Sequence, residues 1–376
     1  MTKQTFFLLG VIFISSCAYV RTVNINDAQK HYENAVIYNL PETVLKVEVE
    51  VSKTSFTKGP YSEFAEKYLG ITGVNTKDEV KYEISNIEIN SYSEPDYNNY
   101  YVIESNMKNL LKNLSFNQNG TLVSINSDSK SEVSAPKYET IQKQKSTLVP
   151  VLFTDLSVKR NFFEEKDTTS KSNAKHKESD KKDLNTKAEE AANFLIKLRK
   201  RKFNLMAGMP DKVPSDGKAV EVMIQEMEKL EKEYVELFVG KQSQETFKYS
   251  YSYTPSKDNN NSILAYFSTK DGIWNKEFKG AEQITIKVVA DGKTKVIDSY
   301  LAKKLPSETK EIEGIVYRIP DLATVQVLKG ENIYAQTKVQ IAQTGTLNVI
   351  SKEMLKQKAF SVEFNPEFGS LKSVKQ

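Results

Sequence analysis

The chain contains 376 residues, 39% of them hydrophobic, and its 53 Lys and Arg residues nearly balance its 49 Asp and Glu residues. This length allows two or three domains with real cores, and the small net charge gives no indication of nucleic acid as a partner. The single cysteine and two histidines exclude an internal disulfide and argue against zinc sites, His-based triads and most cofactor sites. We therefore expect no metal and no cofactor, and we favour a protein that is not an enzyme.

The first seventeen residues have the form of a bacterial lipoprotein signal peptide. Lys3 supplies a positive charge, and the apolar run Phe6–Ile14 is only about half the length of a membrane-spanning helix. Two serines then precede Cys17, so we expect cleavage before Cys17 and its lipidation, which anchors the chain to a membrane. Residues 18–35 are interpreted as a tether. No acidic run follows Cys17, which favours the periplasm-facing side of the outer membrane over the cell surface.

Residues 36–126 are predicted to form an N-terminal β-rich domain. Apolar and polar side chains alternate over residues 44–51, as expected for a half-buried strand. Tyr61–Leu69 has the spacing of a short amphipathic helix that Gly70 ends. Residues 127–185 are rich in charged residues, Ser and Thr and are interpreted as a partly disordered linker, in which Leu148–Phe153 is a possible added strand.

Residues 186–240 predict an antiparallel helical hairpin. Thr186 and Glu189 have the spacing of a capping box, apolar residues recur at intervals of three and four, and Gly240 closes the second helix. The first helix carries a basic patch formed by Lys197, Arg199, Lys200, Arg201 and Lys202. This patch is either a solvated face balanced by the Glu-rich second helix or a contact for anionic lipid headgroups or an acidic partner.

Residues 243–376 are predicted to form a C-terminal β-rich domain, with short strands separated by turns rich in Gly, Asn, Asp and Pro. Its last segment, Phe364–Val374, resembles the predicted hairpin Phe116–Ile125, and each is expected to close its own domain. The predicted fold class is thus α+β, with two antiparallel β-rich domains, each a sandwich or small barrel, and the helical hairpin between them.

Aromatic side chains beside polar ones are the best candidates for a binding surface. The candidates are Tyr249, Tyr251 and Tyr253 on one face of a strand, Trp274 in a loop-like segment, and Tyr97 and Tyr100 in a tyrosine-rich segment. Aromatic rings beside carboxylates and amides suit a saccharide or a protein partner. The alternative is that the stripe of residues 249–253 packs as core, with its hydroxyl groups at the rim.

Several stretches together resemble a family of uncharacterised lipoproteins from Bacteroides-type bacteria that share a domain of unknown function. The matching stretches are Tyr38–Leu45, Thr57–Tyr61, Ala65–Gly70, Ala188–Phe194, Lys197–Arg201 and Glu233–Lys241. The resemblance implies an outer-membrane lipoprotein in a Gram-negative cell, and it implies no catalytic residue.

The sequence therefore favours a lipid-anchored, non-enzymatic binding or assembly component of the cell envelope, with an envelope protein or a glycan as its partner. The alternative is a carboxylate-dependent glycan hydrolase or a saccharide-binding lipoprotein. With 49 Asp and Glu residues in the chain, the sequence singles out no carboxylate pair for hydrolysis.

Overall fold

The computed structural model describes residues 18–28, 32, 34–107, 109–127, 183–209, 216–258, 260–301, 311–357 and 359–375. The predicted signal peptide with Cys17, and the segment Leu148–Phe153, lie outside the described residues. Among the described residues, no helix is both long and apolar enough to cross a membrane.

The described residues form thirteen strands and five α-helices. The strands are β1 (Val20–Asn24), β2 (Ala35–Thr57), β3 (Glu79–Ser105), β4 (Leu114–Phe116), β5 (Leu122–Ile125), β6 (Lys241–Tyr253), β7 (Asn261–Ser268), β8 (Gly272–Trp274), β9 (Glu282–Ala290), β10 (Glu311–Lys329), β11 (Asn332–Ser351), β12 (Ser361–Asn365) and β13 (Ser370–Lys375). The helices are α1 (Ala65–Leu69), α2 (Leu184–Met206), α3 (Gly217–Val239), α4 (Lys295–Leu301) and α5 (Lys352–Leu355).

The strands form two antiparallel sheets, which confirms the predicted α+β, β-rich fold class. The large sheet has nine strands. Eight of them follow the order β6-β2-β3-β1-β10-β9-β7-β8, and the ninth, β11, pairs with β10. The small sheet has the order β13-β12-β5-β4. Each sheet therefore takes strands from both predicted β regions, and the sheets do not coincide with residues 36–126 and 243–376.

The two segments that resemble each other in sequence lie in the same sheet. They form the hairpins β4–β5 and β12–β13, and β5 pairs with β12 through Ile125 and Val362. Neither hairpin closes a domain of its own, because a two-stranded hairpin has edges that need a further strand and a core to pack against.

Residues 20–24 form a strand rather than part of a tether. β1 pairs with β3 over all five of its residues and with β10 on its other side. The residue before it is also fixed, because Tyr19 N donates to Asn106 Oδ1 at 2.7 Å and Tyr19 O accepts from Ser105 Oγ at 2.9 Å. The folded body thus begins within two residues of Cys17.

The large sheet bends, so that its two halves enclose separate cores. In one half, the inner faces of β2, β3 and β6 pack on β7, β9, β10 and β11 around Val47, Val49 and Ile286. In the other half, β1, β2, β3 and β10 pack on the small sheet around Tyr38 and Phe364. The predicted inward direction of residues 47, 49 and 51 is confirmed, because all three valines are buried.

A buried ion pair joins the strands where the sheet bends. Arg318 Nη2 on β10 donates to Asp96 Oδ2 on β3 at 2.8 Å, and only about 5% of either side chain is exposed. The guanidinium also donates to Pro41 O on β2 through Nη1, and the backbone N of Arg318 donates to Gly369 O at 3.0 Å. One side chain therefore ties together β2 and β3, and its backbone adds the β12–β13 turn.

Asp96 reaches Arg318 because β3 bulges at this point. Asn39 pairs with Tyr100 and Pro41 pairs with Pro95, so that residues 96–99 stand opposite Leu40 alone. Asp96 closes the bulge by accepting from Asn98 N at 2.9 Å and from Asn99 Nδ2 at 2.8 Å. Bulges of this kind bend a strand and redirect its side chains.

The helical hairpin packs on the segment that follows β2. Ala188, Ala191 and Phe238 form a third cluster with Tyr61 and Ala65. Asp183, and not Thr186, caps α2, because its carboxylate accepts from Leu184 N. The predicted end of the second helix at Gly240 is confirmed. Two of the regularly spaced apolar residues of α3, Met223 and Leu230, are more than a third exposed.

Substitution of Asp96 by Ala is expected to lower the free energy of unfolding by about 3–5 kcal/mol, because it leaves the Arg318 guanidinium buried without its counter-ion. Urea unfolding measures this change. The matched control is Glu311→Ala, which removes the exposed partner of Arg21 and should cost less than about 1 kcal/mol. Equal losses in the two variants would contradict the role given to the buried pair.

Candidate ligand-binding cleft

The tyrosine stripe on β6 faces the interior of the sheet. Tyr253 is buried in the core, and Tyr249 and Tyr251 are half-buried against the same cluster. Burial, with a contribution from Tyr249, raises the pKa of Tyr251 to about 12. The Tyr251 hydroxyl is buried and has no hydrogen-bond partner among the described residues. The arrangement is that of the core interpretation, in which the rings pack inward.

Tyr97 and Tyr100 lie on the outside of the bulge in β3. Their rings stack with centroids 6.1 Å apart, and Tyr97 is 76% exposed. The bulge residue Asp96 points the other way, towards Arg318. The two are therefore a partly exposed pair of rings on the bulge of β3, and neither ring lines the cleft described next.

Trp274 lies beside a cleft at one end of the large sheet: it is hydrogen-bonded to Asp271, which lines the cleft, but is not itself one of the lining residues. The indole is 57% exposed, its Nε1 donates to Asp271 O at 3.0 Å, and its ring meets that of Phe278 edge-on at 6.4 Å. The cleft encloses about 450 Å³. We name it the lysine cleft; its lining is Phe267, Ser268, Thr269, Lys270, Asp271, Lys279, Gly280, Glu282 and Lys329.

The turn before β8 holds Trp274 in place. Gly272 has a φ of +76°, a conformation that side chains other than glycine rarely adopt. A Cβ at this position would also lie 3.0 Å from the ring of Tyr82 on β3. Tyr82 N in turn donates to Thr269 O at 2.8 Å, so the cleft is attached to the first residues of β3.

Lys329 forms the inner wall of the cleft between two aromatic rings. Its Nζ lies 5.2 Å from the ring centroid of Phe267 and 5.5 Å from that of Tyr334. Burial lowers the pKa of Lys329, but hydrogen bonds to Tyr334 and Glu282 outweigh this effect and raise the pKa overall. The ammonium group is therefore a fixed positive charge at neutral pH.

The charges of the cleft leave it able to receive an anion. Lys329 pairs with Glu282 at 3.3 Å, and Asp271 accepts from Ser268 Oγ at 3.0 Å within the turn. Both carboxylates of the lining are thus engaged by groups of the protein itself. Lys270 and Lys279 remain exposed at the opening, without an ion pair to any described residue. Their ammonium groups suit carboxylate or sulfate groups of a ligand.

The basic patch on α2 divides between paired and exposed residues. Arg199 Nε donates to Glu231 Oε1 at 2.8 Å, and Lys202 bonds the other oxygen of the same carboxylate. These two residues match the interpretation in which the second helix balances the first. Lys197, Lys200 and Arg201 are exposed.

A further charged cluster lies around Glu42. Glu42 lies beside Asp96 and Arg318, and burial together with repulsion from Asp96 raises the pKa of its carboxyl to about 6. No group of three or more His, Cys, Asp or Glu side chains within the described ranges could hold a metal ion. Lys329 and Glu42 could not be recognised as site residues from the sequence, because most of their neighbours come from distant parts of the chain.

Glu42→Gln is expected to remove a pH dependence of stability. The folded state raises the pKa of Glu42 to about 6, so it binds more protons than the unfolded chain between about pH 4.5 and pH 6. Stability that Glu42 contributes below this window is lost as the pH rises through it, by about 1 kcal/mol once solvent screening is allowed for.

Urea unfolding at pH 4, 5, 6 and 7 measures the effect. The difference in unfolding free energy between the wild type and Glu42→Gln should fall by about 1 kcal/mol across the window. Glu331→Gln, in the exposed turn between β10 and β11, is the control and should show no such trend. A wild-type-minus-Glu42→Gln difference that stays constant with pH would contradict the assignment.

Comparison with known proteins identifies a family and goes no further. The model of a family described as a domain of unknown function (DUF4831) matches residues 34–372. No curated protein and no solved structure matches the chain. The match begins just before β2 and ends within β13, so it includes strands of both sheets and the helical hairpin. The chain therefore belongs to the DUF4831 family, whose function is unknown.

Proposed function

We propose that the protein is a lipid-anchored binding component of the cell envelope, held in the outer membrane through Cys17, with an acidic saccharide as the ligand of the lysine cleft. The anchor rests on the sequence of the first seventeen residues and on the family resemblance. The choice of an acidic saccharide as ligand is based on the side chains of the cleft. The periplasm-facing side of the membrane is part of the same proposal.

The observation that carries this proposal is the position of the cleft relative to the anchor. Tyr82, beside the cleft, and Ser105, beside Tyr19, lie near the two ends of β3. At about 3.3 Å per residue, the 23 steps between them give a strand contour of about 76 Å, which the bulge at residues 96–99 shortens in space. A body that starts within two residues of an acylated Cys17 would thus have the anchor and the cleft near opposite ends of β3.

The side chains of the cleft favour an acidic saccharide over a neutral one. An exposed indole beside the cleft gives a flat surface for the apolar face of a sugar ring. The ammonium groups of Lys270 and Lys279 give partners for carboxylate or sulfate groups. An open cleft of about 450 Å³ admits a short stretch of a chain rather than a buried small molecule.

Hydrolysis is the second candidate, and the cleft favours it less. A glycosidase needs two carboxyl groups free to act on opposite sides of the scissile bond. The carboxylates that line this cleft are engaged by Lys329 and Ser268. Glu42 has a raised pKa, as a general acid requires, but it lies at the bend of the sheet and does not line the cleft.

Trp274→Ala is expected to weaken binding of an acidic polysaccharide such as polygalacturonate about tenfold, because it removes the stacking surface beside the cleft. Full-length protein in detergent micelles, titrated with polygalacturonate and with neutral dextran, measures this. Dextran should bind weakly or not at all. The control is Tyr97→Ala, a still more exposed ring outside the cleft, which should leave binding unchanged.

Two results would overturn the proposal. One is the same loss of binding in Tyr97→Ala and Trp274→Ala, and the other is no preference for the acidic polymer. Release of reducing ends from the polymer would show that the protein hydrolyses the polymer, and the proposed binding function would then be wrong. Cys17→Ala tests the anchor separately, because it should move the protein from the membrane fraction to the soluble fraction without changing the affinity of the cleft.

A further inference from the structure

Helix α2 carries an apolar stripe that is covered at one end and open at the other. Ala188 and Ala192 are buried, with 0% and 2% of their surface exposed, in the cluster that includes Tyr61 and Ala65. Steps of four and seven residues place Ile196 and Phe203 on the same face of the helix. Ile196 is 52% exposed and Phe203 is 62% exposed.

The second part of the stripe is exposed because residues 61–74 cover only the first turns of α2. Residues 61–74 pack against the first turns of α2, where Tyr68 Oη donates to Asn185 Oδ1 at 2.8 Å and Lys67 Nζ donates to the same oxygen at 2.9 Å. Beyond Ala192 the described residues include no element that continues this packing. Met206, at the other end of the stripe, is 58% exposed.

The open part of the stripe is basic. Arg199 and Lys200 stand between Ile196 and Phe203, at three and four residues from each. Arg199 is neutralised by Glu231, whereas Lys200 has no ion pair to a described residue. An apolar face with a cation at its centre is complementary to a helix that presents apolar and acidic residues.

We infer that the open stripe of α2, from Ile196 to Met206, is a docking site for an acidic amphipathic helix of another envelope protein, which continues the packing of residues 61–74. This site is separate from the lysine cleft, so it goes beyond the proposed function and can fail independently of it.

Overall charge gives no support to two other occupants, both supplied by this chain. Residues 128–182, outside the described residues, carry twelve Lys and Arg against nine Asp and Glu, so the segment as a whole is basic like the stripe, although its stretch Asn161–Asp167 carries two Phe and a net negative charge. A second copy docked through the same stripe by two-fold symmetry would bring two basic stripes against each other. Like charges in an interface disfavour association.

The position of the hairpin argues for a protein rather than the anchoring membrane. Tyr61 N donates to Leu237 O at 2.9 Å, which fixes the base of the hairpin just beyond Thr57, the last residue of β2. The first residue of β2, Ala35, pairs with Glu104 at the end of the sheet that holds β1. The hairpin therefore starts at the end remote from Cys17; this step rests on the proposed anchor.

The test is site-specific photo-crosslinking of the full-length protein in the cells that make it. A photoreactive residue replaces Phe203, and a control replaces the exposed Glu233 on α3. The inference expects position 203, and not position 233, to crosslink to one envelope protein, at a peptide with apolar and acidic residues at helical spacing. Crosslinks to lipid, to a second copy or to residues 128–182, or none at all, would overturn it.

A pair of charge reversals on the same helix gives a matched control. Lys200→Glu should lower the crosslink yield at position 203 about tenfold, because it places a carboxylate against an acidic partner. Arg201→Glu makes the same change two residues from Phe203, on a different face, and should leave the yield unchanged. Equal effects of the two reversals would contradict docking along the stripe. Trp274→Ala should not change the yield, which separates this site from the lysine cleft.

Discussion

The buried contact between Arg318 and Asp96 is the constraint on which the architecture depends. These residues are 222 positions apart in sequence, and their ion pair lies where the large sheet bends between its two cores. A buried ion pair costs desolvation, so its value here is geometric rather than energetic. Arg318 bonds to β2 and β3 and, through its backbone, to the β12–β13 turn, which fixes the direction of one core relative to the other.

A second contact at the same bend joins β11 to β2. The side-chain amide of Gln343, where the β10–β11 pairing is interrupted, accepts from Thr43 N and donates to Thr43 O, each at 2.8 Å. It thus replaces a missing strand partner for β2 and adds a bond to Pro255 O at 2.9 Å. Bonds to β2 from two neighbouring strands, β10 and β11, therefore hold the bend, and they give the two ends of the body defined positions.

Local sequence patterns predicted the helices and strands, but they could not predict which distant strands pair with each other. The alternation at residues 44–51, the end of α1 at Gly70 and the end of α3 at Gly240 follow from period and backbone conformation, and the structure confirms each. The place of β1 between β3 and β10 does not follow from five residues next to the predicted signal peptide. The same limit applies to the candidate site. Trp274 was recognisable as an exposed ring, whereas Lys329 joins it only through the pairing of β9 with β10.

The central claim is that a rigid body separates the end proposed to carry the lipid anchor from the end proposed to bind a ligand. The most direct measurement is the distance between spin labels at Glu353→Cys, next to the end of β11, and Lys276→Cys, next to Trp274, in the full-length protein. The account predicts a single narrow distance distribution that broadens when Asp96→Ala is added. A broad or two-peaked distribution in the presence of Asp96 would contradict it, because the two ends would then move independently.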